Sequence, residues 1–214
     1  NQQAVDLLTG GAVDAIDVTK EDPAVLAKYD TSEMQIGFKQ FRPSMLGHKM
    51  LMARRLCEAG AGFVTVHSAG WDMHADGNNP GMQVGMAMLG STLDHAVSTF
   101  IDDVAVRGLS QKILLVITGD FGRTPRVNKK GGRDHWARLG TLAFIGGGLK
   151  MGQVIGQSDR QAGEPITTPY TTEHLMGTVM QSLFDVGEMR LVSGIPPQLR
   201  RLVEQSRSIP ELRI

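Results

Sequence analysis

Lys112-Ile113-Leu114-Leu115-Val116-Ile117-Thr118 is the stretch whose reading decides the fold. Its aliphatic residues run without a polar interruption, so neither a helical stripe nor a two-residue alternation fits. An uninterrupted β-branched and leucine run of this length reads as a strand covered on both faces, the habit of parallel sheets. A polar loop, Gly119–Leu139, follows it directly. Upstream, Phe63-Val64-Thr65-Val66 is a second such run, ending at His67 and followed by a loop over 68–81 rich in Gly, Asn and Asp. Downstream, Thr141–Ile145 is a third run, closed by Gly146-Gly147-Gly148, a tight strand exit; Met151–Gly156 reads as an edge strand or hairpin arm.

Helical patterns separate these runs. Met45, Met52, Leu56 and Ala59 give residues 44–59 an apolar stripe, with Pro43 opening the helix and Gly60 and Gly62 stopping it. Met82, Met86, Leu89, Leu93, Val97, Phe100 and Val104 recur at three and four residues and predict the longest helix, with its methionines in the core. Further helices are expected over 172–186, with a hydroxyl cap at Thr171 or Thr172, and over Pro197–Gln205. Residues 1–42 read as a polar helical and irregular segment, with patches at Gln2–Leu8 and Pro23–Tyr29, preceding one domain over 43–214. The alternation predicts an α/β class: a mainly parallel sheet sandwiched by helices, with ligands in loops beyond the strand ends.

Composition narrows the function classes. Lys plus Arg is 22 and Asp plus Glu is 22, so the chain lacks the basic excess of a nucleic-acid binder and a polybasic membrane anchor. No apolar run is long enough for a transmembrane helix. Cys57 is the one cysteine and reads as a small hydrophobe on a helix, so no internal disulfide is expected. The opening at Asn1 reads as a mature form or a fragment whose nucleophile lies upstream.

Chemistry concentrates in the two strand-end loops. Asp72 and His74, two residues apart on an extended loop, can reach one metal ion, and their oxygen and nitrogen suit zinc. Asp120 lies just past the 112–118 run, and Arg123 offers a planar fork for a phosphate or sulfate group. Gly131-Gly132-Arg133-Asp134-His135-Trp136 presents a histidine beside an aromatic, with glycines permitting close backbone approach. Each has a plain structural alternative: Asp72 capping a turn, Asp120 pairing with Arg123, His135 packing on Trp136. Their convergence on loops of one sheet favours a metal site comprising Asp72, His74, Asp120 and His135. His48 and His95 fit solvated or half-buried helix faces, His174 fits a structural place in a helix's first turn, and His67 could orient a ligand.

The motifs "ARRLCEAGAGFVTVH" (53–67), "GWDMH" (70–74), "TGDFGRTPRVN" (118–128), "GGRDHW" (131–136) and "GGGLKMGQVIGQSD" (146–159) together resemble the family called domain of unknown function 1501. That family is similar to a branch of the alkaline-phosphatase and sulfatase superfamily. The resemblance implies the C-terminal part of an alkaline-phosphatase-like domain. It assigns Asp72, His74 and His135 to one divalent metal, zinc first with calcium or manganese as alternatives, and Asp120 to a second. Phe121 stands where the two-metal enzymes carry histidine, which removes a ligand from that second site. The implied activity is metal-dependent hydrolysis of phosphate or sulfate esters, small-molecule or polysaccharide, with Arg123 holding the anion, in a periplasmic or envelope protein. The competing expectation is a degenerate domain retained as a binding or structural module.

Overall fold

The computed structural model describes residues 11–36, 42–120, 122–205 and 207–213, which fall into two compact units. The first comprises the described part of Asn1–Leu109 together with Arg126–His135; the second comprises Ser110–Pro125 and the described part of Trp136–Ile214. The expected patch at Gln2–Leu8 lies outside the described residues, as does Phe121.

In the first unit, α1 spans Ala12–Ile16 and a 3₁₀ turn spans Val18–Lys20. Helix α2, Pro23–Lys28, starts as its sequence predicts: Pro23 takes the first position and the Asp22 carboxylate accepts the Ala24 N–H at 2.7 Å. Strands β1 (Gln35–Ile36) and β2 (Arg42–Pro43) pair antiparallel. Pro43 therefore ends a strand, and helix α3 begins three residues later, Leu46–Glu58. Helix α4, Met82–Gly85, passes through a π turn, Met86–Gly90, into α5, Ser91–Val106. Packing of α3 on α5 makes the core: Leu46, Met50, Leu51 and Ala53 face Ala96, Phe100 and Val104, all buried.

The π turn changes the phase of the long helix. Its extra residue per turn rotates the following segment, so Leu89, Thr92, Ala96, Phe100 and Val104 form the buried stripe. Leu93 and Val97 are half-buried, and Met86 is 48% exposed, contrary to its expected place in the core.

Beneath α3 lies a buried ion-pair network. Arg54, 1% exposed, donates from Nη2 to Glu21 at 2.5 Å and from Nε to Asp103 at 3.0 Å, and it pairs with Glu58. Arg55 reaches Glu21, Arg107 reaches both Glu21 and Asp103, and the Tyr29 hydroxyl donates to Asp103 at 2.9 Å. Opposite charges surround each guanidinium, which is what makes burial of an arginine tolerable.

In the second unit, β3 (Leu114–Ile117) pairs with β6 (Ala143–Gly146) antiparallel, Leu114 opposite Gly146 and Ile117 opposite Ala143. Two-residue strands β4 (Gly122–Arg123) and β5 (His135–Trp136) lie between them in sequence, β5 starting on the last residue of the first unit's segment. Gly146, Gly147 and Gly148 all have positive φ, and a Cβ at Gly146 would lie 2.7 Å from the Ser110 and Ile113 carbonyl oxygens. The triple glycine is thus the tight strand exit expected of it. Helices α6 (Thr172–Leu183), α7 (Val186–Leu191) and α8 (Pro197–Gln205) follow. At the start of α6 the Thr171 N–H donates to His174 Nδ1 at 3.1 Å, so His174 caps its own helix.

The expectation of a mainly parallel sheet sandwiched by helices is overturned. Among the described residues the sheets are two-stranded, and those whose register is defined are antiparallel. No helix separates β3 from β6 among the described residues. A parallel return needs a crossover of a dozen or more residues, usually helical, whereas a loop can bring a strand back antiparallel. Residues 63–66 form no strand and Phe63 is 70% exposed. A β-branched run becomes a strand only where a neighbour supplies ladder hydrogen bonds, and none of the described residues pairs with it. Residues 151–156 likewise carry no strand, and beyond them Ser158 and Pro165 make an isolated bridge.

Candidate metal centre

The first unit builds the site from two loop segments, 70–76 and 126–135. Met73 anchors the first. It is 6% exposed and packs where α4 has Gly85, at which any Cβ would come within 2.7 Å of Met73 Cγ. In extended backbone, side chains alternate, so burying Met73 turns Asp72 and His74 together to the opposite side. Three hydrogen bonds stitch the two segments and α4, Arg133 N–H to Met73 O at 2.9 Å, Asn128 Nδ2 to His74 O at 2.9 Å and Met82 N–H to Gly131 O at 2.9 Å, and Ala75 N–H to Pro80 O at 3.0 Å closes the first loop on itself.

Gly132 permits this apposition. Buried against His74, it has no room for a Cβ, which would lie 2.2 Å from the His74 carbonyl. After His74 the chain turns sharply. Ala75 adopts φ 59°, and Asp76 accepts the N–H groups of Asn78 at 2.7 Å and Asn79 at 2.8 Å. Those bonds hold the Asp76 carboxyl below its usual range.

Three donor atoms converge. His74 Nε2 lies 3.0 Å from His135 Nε2, His135 Nε2 lies 3.2 Å from Asp72 Oδ1, and Asp72 Oδ1 lies 3.4 Å from His74 Nε2. Zinc with ligands at about 2.0–2.1 Å in tetrahedral array separates its ligand atoms by about 3.3–3.4 Å. An octahedral ion at slightly longer bonds separates adjacent ligands by roughly 3 Å. The triangle thus has the size of one face of a coordination shell. Two imidazole nitrogens and a carboxylate oxygen suit zinc, manganese or iron, whereas calcium takes six to eight oxygens. The residues present fit a divalent transition ion.

On the far side of His74, its Nδ1 lies 3.3 Å from Asp134 Oδ1. A cavity of about 550 Å³ opens there, lined by His74, Asp76, Asn128, Lys129, Lys130 and Asp134. Asp72, His135 and Asp134 are each roughly half exposed.

Of the residues singled out from sequence, Asp72, His74 and His135 are brought together. Asp120 and Arg123 belong to the second unit, Asp120 in an exposed bend and Arg123 at the end of β4. His67 is exposed, and its carbonyl accepts from Lys49 at 3.4 Å. His95 Nε2 donates to the Lys28 carbonyl at 2.9 Å, a structural bond. Asp134 and Asn128 were not singled out. The signal for Asp134 is its adjacency to His135; that for Asn128 is the Asn-Lys-Lys-Gly-Gly turn, in which its Oδ1 accepts the Lys130 and Gly132 N–H groups, each at 3.0 Å.

Among known proteins, the family described as "Protein of unknown function (DUF1501)" matches residues 1–213. No curated protein and no solved structure matches the chain.

Proposed function

We propose, for a chain that belongs to the DUF1501 family of proteins of unknown function, a metal-dependent hydrolase acting on phosphate or sulfate esters. The observation that carries this reading is the triangle of His74 Nε2, His135 Nε2 and Asp72 Oδ1, whose sides of 3.0, 3.2 and 3.4 Å fit one metal ion. Three protein ligands, the number found among the described residues, is the count of catalytic zinc, whereas structural zinc is closed by four. Bound there, a divalent ion supplies Lewis acidity toward an ester oxygen.

Lys129 and Lys130 line the cavity beside His74 together with Asp76 and Asp134, so its wall balances two ammonium groups against two carboxylates. The family's resemblance to phosphatases and sulfatases favours phosphate or sulfate esters and a periplasmic or envelope location. Among the described residues no helix is long and apolar enough to cross a membrane.

The test is direct. Purified protein, stripped with chelator, is titrated with zinc, manganese and iron and assayed with aryl phosphate and aryl sulfate. One ion per chain is expected, with hydrolysis of one ester class that His74→Ala and His135→Ala abolish along with metal binding. A protein that binds no divalent ion overturns the reading. One that binds metal through these residues yet cleaves neither ester retains the metal centre but is a binding module, not a hydrolase.

A further inference from the structure

We infer that Asp134, held in place by Asn128, is the positioning residue that fixes the His74 imidazole for metal binding; this rests on the metal centre proposed above. A neutral imidazole carries one N–H, and whichever nitrogen bears it cannot coordinate an ion. His74 Nε2 points into the ligand triangle, so its proton must reside on Nδ1, and Nδ1 faces Asp134 Oδ1 at 3.3 Å. The carboxylate therefore selects the tautomer whose Nε2 lone pair is available. It also stops the ring from flipping and raises the basicity of the ligand nitrogen.

Asn128 makes the arrangement rigid. Its Nδ2 lies 2.9 Å from the His74 carbonyl oxygen and 3.4 Å from Asp134 Oδ1, so one amide touches both the ligand's backbone and the carboxylate. Its Oδ1 is already committed to the Lys130 and Gly132 N–H groups, which fixes which side of the amide donates. The Asn128 N–H donates to Gly132 O at 2.8 Å and the Gly131 N–H returns to Asn128 O at 3.0 Å, closing the turn that delivers Asp134 and His135. Because Asp134 immediately precedes His135, one segment supplies both a ligand and the group that orients the other histidine.

The experiment compares the full chain with Asp134→Ala, Asp134→Asn and Asn128→Ala. Zinc affinity is read by competition with a chromophoric chelator, and geometry is read from the visible spectrum of bound cobalt. Loss of such a partner weakens metal binding about 10–100-fold. The expected order of affinity is wild type, then Asp134→Asn, which keeps an oxygen acceptor, then Asp134→Ala. Cobalt bands that shift in both Asp134 variants are also expected; a group needed only for folding lowers the melting temperature without changing the spectrum of the ion that still binds. A measurement on the unmutated protein guards against variants that fail to fold: two-bond ¹H–¹⁵N correlation of the His74 ring should show the Nδ1–H tautomer. Asp134→Ala binding zinc with wild-type affinity and an unchanged cobalt spectrum, or His74 of the metal-free protein in the Nε2–H tautomer while zinc still binds, overturns the positioning role alone. Absence of zinc binding by the wild type overturns it together with the metal centre.

Discussion

Gly132 is where a single atom decides whether the two loops can form a site. A Cβ at that position meets the His74 carbonyl at 2.2 Å, backbone against backbone, so no side-chain rotation can relieve it. Gly132→Ala is therefore expected to push the 126–135 segment away from His74. Overpacking of this kind costs about 1–3 kcal/mol, and here it falls on the loop pairing, while the α3–α5 packing lies elsewhere in the unit. Zinc affinity should drop while the far-ultraviolet circular dichroism spectrum is preserved; retention of wild-type affinity would show that the apposition is not what assembles the ligands. At this scale the sequence was legible where chemistry is carried by residue type and short spacing. Asp72 and His74 flank an apolar Met73, and alternation alone places them on one side. Asn128 was not legible, because its bond to His74 spans 54 residues and depends on a loop closing over Gly132. Asp134 lay in plain view beside His135, but nothing local says that its carboxylate serves a histidine 60 residues away.

Helix α3 shows what an element contributes beyond its apolar stripe. Leu51, fully buried, faces α5, while Arg54 threads into a cluster of carboxylates from α5, from the segment between the 3₁₀ turn and α2, and from its own last turn. Arg54→Met keeps volume and removes the charge, leaving Glu21, Glu58 and Asp103 facing one another with Arg55 and Arg107 as the remaining cations. Breaking a buried pair from one side costs about 3–5 kcal/mol. Urea unfolding should register a loss of that size, comparable with the 2–5 kcal/mol of a Leu51→Ala cavity. A loss below roughly 1 kcal/mol would place the network among exposed ion pairs instead. Elements of this kind were readable: α3, α6, α8 and the continuous run of α4, the π turn and α5 each lie within two or three residues of their patterned segments, and α2 begins at its cap. What was not readable was how strands meet. Ile113–Ile117 looks the same whether its neighbour runs parallel or antiparallel, and the direction is set by the connection, which holds no crossover helix. The π turn at Met86–Gly90 was equally silent, because the apolar spacing continues smoothly through it.

Over the whole molecule, Lys and Arg balance Asp and Glu, so pH-dependence comes from where charges sit and not from their sum. In the first unit one network contributes at both ends of the pH range. Burial pushes the Glu21 carboxyl up, but bonds from Arg54 and Arg55 outweigh that and hold it at about 2. A carboxyl depressed in the folded state contributes stability fully present above its unfolded value, about 4.3, and lost as pH falls toward 2. Tyr29 has the opposite sense. Burial first, then the Asp103 carboxylate that its hydroxyl bonds, push the phenol far above its usual value of about 10. A phenol that stays protonated when folded contributes stability that is present below about pH 10 and is lost as pH rises beyond it. Stability should therefore form a plateau around neutral pH, with an acid limb to which Glu21 and its partners contribute and an alkaline limb shared by Tyr29 and by the Cys57 thiol, which burial also pushes up. Tyr29→Phe separates the two. It keeps the ring in its fully buried place, removes the phenol's proton, and spares the bonds from Arg54 and Arg107 to Asp103. Urea midpoints measured from pH 3 to 11 should keep the acid limb in this variant and decline less steeply above pH 10. An alkaline decline as steep as that of the wild type would assign that limb to other groups and remove Tyr29 from the account of the molecule's pH range.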